Sequence, residues 1–163
     1  MLFQSQYELT VIRLLFRSHL QTYGLYWHII QLHRHRFSLD LNTHLIKEKI
    51  TTIGFLGTSF SMEMDFYKDR LKNFGLNVLI PEKQETRNYI QHVLKEELGR
   101  GIINPKSKEN YIQIANELIK QGAEGIILGC TEIPLLIDQS HFSVPVFDTT
   151  KIHSEAIVAF IVS

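Results

Sequence analysis

A single cysteine, Cys130, stands between Gly129 and the pair Thr131-Glu132, directly after the apolar run Gly125-Ile126-Ile127-Leu128. A free thiol titrates near a pKa of about 8.5, and a helix N-terminus or a cationic neighbour lowers that value. Cys130 precedes a turn that starts near Thr131, so a lowered pKa is expected there. Thr131 offers a hydroxyl and a backbone N–H to a carboxylate, and Glu132 is close enough in sequence to act on the thiol's proton. Such a set suits removal of the α-proton of an amino acid without pyridoxal phosphate. That reaction needs a base against Cα–H, donors for the carboxylate and, for inversion, an acid on the opposite face. Taken alone, a Cys at a strand end reads as a small core residue, and Glu132 as a charge complementing a helix dipole.

The elements that position Cys130 follow an alternating pattern from Lys47 onward, as in a parallel α/β domain. Thr51 to Leu56 is the first expected strand. The turn Gly57-Thr58-Ser59 feeds a helix over about 60–74, N-capped by Ser59 or Ser61 and ended by Gly75. Asn77 to Ile80 is the second strand, closed by Pro81. Tyr89, Ile90, Val93, Leu94 and Leu98 form one apolar helical face, stopped by Gly99 and Gly101. Pro105 opens a further helix through Tyr111, Ile114, Ala115, Leu118 and Ile119, ended by Gly122, and these two helices are expected on one face of the sheet. Gly125 to Leu128 is a strand buried on both faces, and it delivers Cys130 to its carboxyl end, where open α/β sheets bind ligands. Pro134 to Ile137 is a helical turn and Val144 to Phe147 a fourth strand. Asp148 or Thr149 caps a last helix carrying Ile152, Ala156, Ile157 and Phe160. The fold class is therefore α/β: a four-stranded, mostly parallel sheet flanked by helices, with right-handed crossovers.

The chain has 163 residues, enough for one cored domain and too few for two ordinary lobes. Lys+Arg and Asp+Glu are both 17, so no global field favours nucleic acid or an anionic membrane. One cysteine forms no internal disulfide, and Arg13, Arg17 and His19 interrupt the apolar stretch Val11 to Leu20, which argues against a signal peptide or a span. A cytoplasmic protein is expected. Residues 1–45 differ in composition, with only Glu8 and Asp40 as acids, and form an atypical N-terminal segment before the lobe at 46–163. There Leu9 to Leu20 could be helical and Tyr23 to Leu32 a strand. His33 and His35 would share one strand face, but no further ligands accompany them and no metal is expected. Arg34 and Arg36 near Tyr23, Tyr26 and Trp27 read as solvated surface rather than a nucleic-acid site.

Gly129-Cys130-Thr131-Glu132-Ile133-Pro134 resembles the second cysteine motif of the cofactor-independent aspartate/glutamate racemases. Ile53 to Thr58, with Ser61-Met62-Glu63 and Asp65-Phe66-Tyr67, is similar to the opening of that family's second lobe. Pro145 to Thr149, with Ile152-His153, is similar to its closing strand and final helix. The resemblance spans roughly Ile46 to Ser163. It implies two α/β lobes facing across a cleft, each giving one acid/base residue, usually Cys, to one face of a small acidic amino acid. Cys130 matches the second-lobe residue, while Thr58, Ser61 and Thr131 match carboxylate contacts, with Ser61 where Thr is common. No cofactor is implied.

The first-lobe cysteine motif, Cys-Asn-Thr or Cys-Thr-Asn-Thr, has no counterpart here, and residues 1–45 hold no Cys. A truncated gene or an upstream frameshift would explain this. Three readings follow: a racemase-type enzyme in which Cys130 serves one face; a catalytically inactive remnant that binds an acidic amino acid weakly or self-associates; and a homodimer whose two Cys130 thiols share a cleft.

Overall fold

The computed structural model describes residue 45, residues 48–63 and residues 65–162. The readings placed on earlier positions, including His33, Arg34, His35, Arg36 and the aromatic residues near them, lie outside the described residues. So do the side chains of Asp65, Phe66, Tyr67 and Phe160.

Among the described residues the sheet has four strands, all parallel, in the order β2-β1-β3-β4. They are β1 (Thr52–Leu56), β2 (Asn77–Leu79), β3 (Ile126–Leu128) and β4 (Val146–Asp148). The two inner strands have the continuous apolar sequence of strands covered on both faces. Ile53, Phe55, Leu56, Ile126, Ile127 and Leu128 are all buried. Close approach also demands small residues: a Cβ on Gly54 would lie 2.6 Å from Ile126 Cδ1 and 3.3 Å from Leu118 Cβ. Glu124 joins the start of β3 to the start of β1 by accepting hydrogen bonds from Thr51 N (2.6 Å) and Thr52 N (3.1 Å).

The helices are α1 (Ser59–Glu63), α2 (Asp65–Lys72), α3 (Gln84–His92), α4 (Pro105–Lys120) and α5 (Thr149–Ile161). Together α1 and α2 occupy the run expected at 60–74, and Gly75 ends it in the left-handed conformation (φ 79°) that glycine adopts without strain. The N-cap is Thr58, not Ser59 or Ser61: Thr58 O accepts from Met62 N at 2.9 Å, and its Oγ1 accepts from Ser61 N at 3.1 Å. Asn104 and Asp148 cap α4 and α5 in the same way.

After α3 the chain widens into a π turn, Val93–Glu97, and tightens into a 3-10 turn, Leu98–Arg100. Just before the widening, the Tyr111 hydroxyl of α4 donates to Ile90 O at 3.0 Å, fastening α4 to this segment. A side chain inserted beside a helix's own ladder is a recognised cause of such irregularity.

Strand β1 starts one residue later than expected, at Thr52, β2 ends one earlier, at Leu79, and β3 starts one later, at Ile126; two boundaries near the site moved as well. The helical turn after Cys130 is a 3-10 turn at Ile133–Leu135, and β4 begins at Val146 rather than Val144. Gln139 accounts for the second shift. Its amide donates to Phe142 O and Val144 O and accepts from Val146 N, holding the approach to β4 in a looped conformation.

Candidate functional site

Strand register fixes the site. Leu56 pairs with Leu128, and Leu128 with Asp148, so β1, β3 and β4 end level. The turns that follow, Gly57-Thr58 and Gly129-Cys130, therefore emerge side by side at the carboxyl edge of the sheet. Gly129 N donates to Leu56 O at 2.7 Å, one hydrogen bond beyond the last paired residues. From the first residue of α5, just after β4, the buried Thr149 hydroxyl donates to Leu128 O at 2.8 Å and closes the carbonyl just before Gly129.

The buried Phe55 ring packs beneath both turns. A Cβ on Gly129 would lie 2.4 Å from its Cζ, and one on Gly57 would lie 3.1 Å from its Cε1. That packing leaves no room for a side chain at Gly129 and little at Gly57.

On the β3 turn, the half-buried Cys130 donates its thiol proton to Glu132 Oε2 at 2.8 Å. Burial, followed by the Glu132 carboxylate, pushes the thiol pKa up to about 11. This corrects the lowered value expected from the sequence. The backbone N–H groups of Thr131 and Glu132 do act in the lowering direction, but desolvation and the adjacent anion outweigh them. Burial pushes the Glu132 carboxyl upward, yet hydrogen bonds from Cys130, from Thr131 and from its own backbone together hold it below the usual range. The resting pair is thus a neutral thiol on an ionised carboxylate. Thr131 is exposed at the rim.

On the β1 turn, Ser61 Oγ donates to Thr58 O at 2.9 Å and lies 3.0 Å from Thr58 Oγ1. With the Ser61 proton committed to the carbonyl, Thr58 is the donor between the hydroxyls, and each hydroxyl proton serves the cap. Ser61 is buried and Thr58 half-buried, so Thr58 is the more accessible of the two.

The structure thus gathers Cys130, Thr131 and Glu132 on one turn and Thr58 and Ser61 on its neighbour. Sequence reading missed Phe55, Gly57, Gly129 and Thr149 as the parts that set these turns. The two glycines flanking strand ends were the available signal. Among the described residues no three His, Cys, Asp or Glu side chains are grouped to hold a metal ion, and no helix is long and apolar enough to cross a membrane. A separate cavity of about 540 Å³ lies beside β4, lined by Glu48, Gln139, Asp148 and Lys151 among others, and contains none of these site residues.

The sequence profile of the Asp/Glu/hydantoin racemase family matches residues 41–157. A crystal structure of a candidate Asp/Glu racemase from Yersinia pestis is 38% identical, with a TM-score of 0.73 over 78% of this chain and 55% of that one. An aspartate racemase homologue from Pyrococcus horikoshii OT3 is 33% identical, with a TM-score of 0.71 and the same coverage, 78% and 55%. An uncharacterised protein from the pnlA 3′ region of Pectobacterium carotovorum is 25% identical over 107 residues, 62% of this chain and 66% of its own length. The chain spans about half the length of the solved relatives it matches.

Proposed function

Because this chain belongs to the Asp/Glu/hydantoin racemase family, we propose that it carries one half of a cofactor-independent amino-acid racemase site, with an acidic amino acid as substrate. The observation that carries this reading is the thiol of Cys130 hydrogen-bonded to the Glu132 carboxylate at the carboxyl edge of the sheet. Glu132 takes the thiol proton as the sulfur removes the α-proton of the bound amino acid. The products of that step are a protonated Glu132, a neutral Cys130 thiol and a planar carbanion whose charge spreads into the α-carboxylate. Thr131 and Thr58 bind that carboxylate, the Thr58 hydroxyl turning its proton from Ser61 Oγ to the substrate while Ser61 still donates to Thr58 O. A thiolate formed only in the reacting complex is a stronger base than one already ionised at neutral pH, and burial by itself raises this thiol.

Returning the proton from the same side gives exchange without inversion. Inversion needs an acid on the other face, and a second copy of this chain is our proposed source. Phe60 and Leu135, just beyond the two catalytic turns, are 71% and 56% exposed and offer apolar surface for such an association. A strictly monomeric mass at micromolar concentration removes this arrangement.

A second reading, a remnant that binds but does not catalyse, is favoured by the raised thiol pKa and by hydroxyls already engaged in the Thr58 cap. Incubation with L- and D-aspartate and L- and D-glutamate in deuterated water separates the two. The enzyme reading expects α-deuterium incorporation well above a Cys130→Ala control. No incorporation above that control for any enantiomer leaves the remnant.

A further inference from the structure

The first N–H groups of a helix have no acceptor within it, so their direction is set by what else they meet. In α1 the first of them, Ser59 N, donates to the side-chain Oε1 of Gln91 on α3 at 2.9 Å. The Ser59 hydroxyl donates to Arg87 O, at 3.4 Å. Arg87 and Gln91 are four residues apart, one turn along the same face of α3, so that face meets Ser59 at two points.

The other end of α1 is held by the same helix. Glu63 Oε1 accepts from Gln84 Nε2 at 2.9 Å and from Arg87 Nε at 3.1 Å. Arg87 is itself fixed, because its guanidinium donates to Pro81 O at 2.6 Å and Glu82 O at 2.7 Å and its side chain is only 14% exposed. Thr58 is the residue immediately before this doubly held segment.

We propose that Gln91 is a positioning residue for the racemase-type site: through Ser59 N–H it fixes the turn that carries Thr58, whose hydroxyl turns its proton from Ser61 Oγ to the substrate carboxylate on binding. The role rests on the reading given under Proposed function. An amide suits it because the carbonyl accepts firmly from Ser59 while adding no negative charge beside a site for an anion. A Glu at this position would hold the same N–H but repel the carboxylate.

The test is Gln91→Met in the full chain, read by steady-state α-proton exchange in deuterated water and by amide hydrogen exchange. We expect KM for the acidic amino acid to rise about tenfold with kcat within about twofold, as loss of a placed carboxylate contact requires. The Ser59 amide exchanges about tenfold faster, while that of Ile126 in the central sheet is unchanged. Because Gln91 acts through Thr58, Gln91→Met adds less than about twofold to KM in a Thr58→Val background. An active wild type with an unchanged KM in Gln91→Met overturns the proposal, as do effects that multiply independently with those of Thr58→Val. Wild-type protein that exchanges no α-proton overturns the racemase reading instead, and the positioning role of Gln91 with it. Should Gln91→Met not fold, Gln91→Glu decides. Ser59 protection retained together with a raised KM supports the placement, and an unchanged KM rejects it.

Discussion

The two turns at the carboxyl edge of the sheet share a plan and differ in what they do with their protons. Each follows a buried strand, each has a glycine set against the Phe55 ring, and register places them side by side. In the Thr58 turn both hydroxyl protons are committed to the cap of α1. In the Cys130 turn a titratable proton lies between a thiol and a carboxylate, whose preferences are pushed apart so that it rests on sulfur. One turn has its hydroxyls tied into a helix cap, and the other sets a titratable thiol against a carboxylate. The difference comes from the side chain two or three residues onward: Ser61 closes a cap, whereas Glu132 faces the thiol.

The contrast can be broken from the Cys130 side first. Glu132→Gln should cost about a hundredfold in α-proton exchange, within the range for loss of one acid/base partner. It also removes the anion beside the thiol, so the Cys130 titration, followed by thiolate absorbance, should move down from about 11 while burial keeps it above the ordinary thiol value. The sign for stability follows from the raised pKa. The folded state holds its thiol proton more tightly than the unfolded chain. Wild-type stability should therefore fall as pH rises from the ordinary thiol range to about 11, and Glu132→Gln should narrow that window from above.

Next in size is Gly129→Ala. Its methyl meets buried Phe55 at 2.4 Å and Leu56 O at 3.2 Å, and a cost of about 2 kcal/mol in chemical denaturation is expected. Gly57→Ala should cost less, because its nearest neighbour, Ser61 Oγ at 2.6 Å, belongs to a side chain that can turn away. Thr149→Val keeps the shape but leaves the Leu128 carbonyl without that donor, at about 1 kcal/mol. Thr58→Ala removes a side-chain cap and should also cost about 1 kcal/mol, with no change in the Cys130 titration. A shift of that titration in Thr58→Ala would mean that the turns are not independent.

Much of this was legible in the chain. Glycines and prolines bounded the elements, and the apolar runs Ile53 to Leu56 and Ile126 to Leu128 marked strands covered on both faces. Helical periodicity correctly placed Tyr111, Ala115 and Leu118 in the core. The boundary of β4 was not legible, because Val144 has strand character and only the Gln139 amide, reaching from a turn that carried no periodic signal, holds it out of the ladder. The Thr58 cap was missed for a related reason. Thr58, Ser59 and Ser61 are all acceptable caps, and the choice among them is made by which of them takes the Ser61 and Met62 N–H groups in the folded turn.

Sequence alone determined the family, the order of strands and helices along the chain, and the concentration of Cys130, Thr131 and Glu132 behind an apolar strand, since those are properties of contiguous residues. Tertiary structure decided that β1 and β3 are neighbours ending level, that Phe55 packs under both turns, and that the thiol's pKa is raised rather than lowered. A pKa depends on how much water a group loses and which charge it faces. Both are fixed only when the strands are paired and the turn after Cys130 brings Glu132 back onto the sulfur.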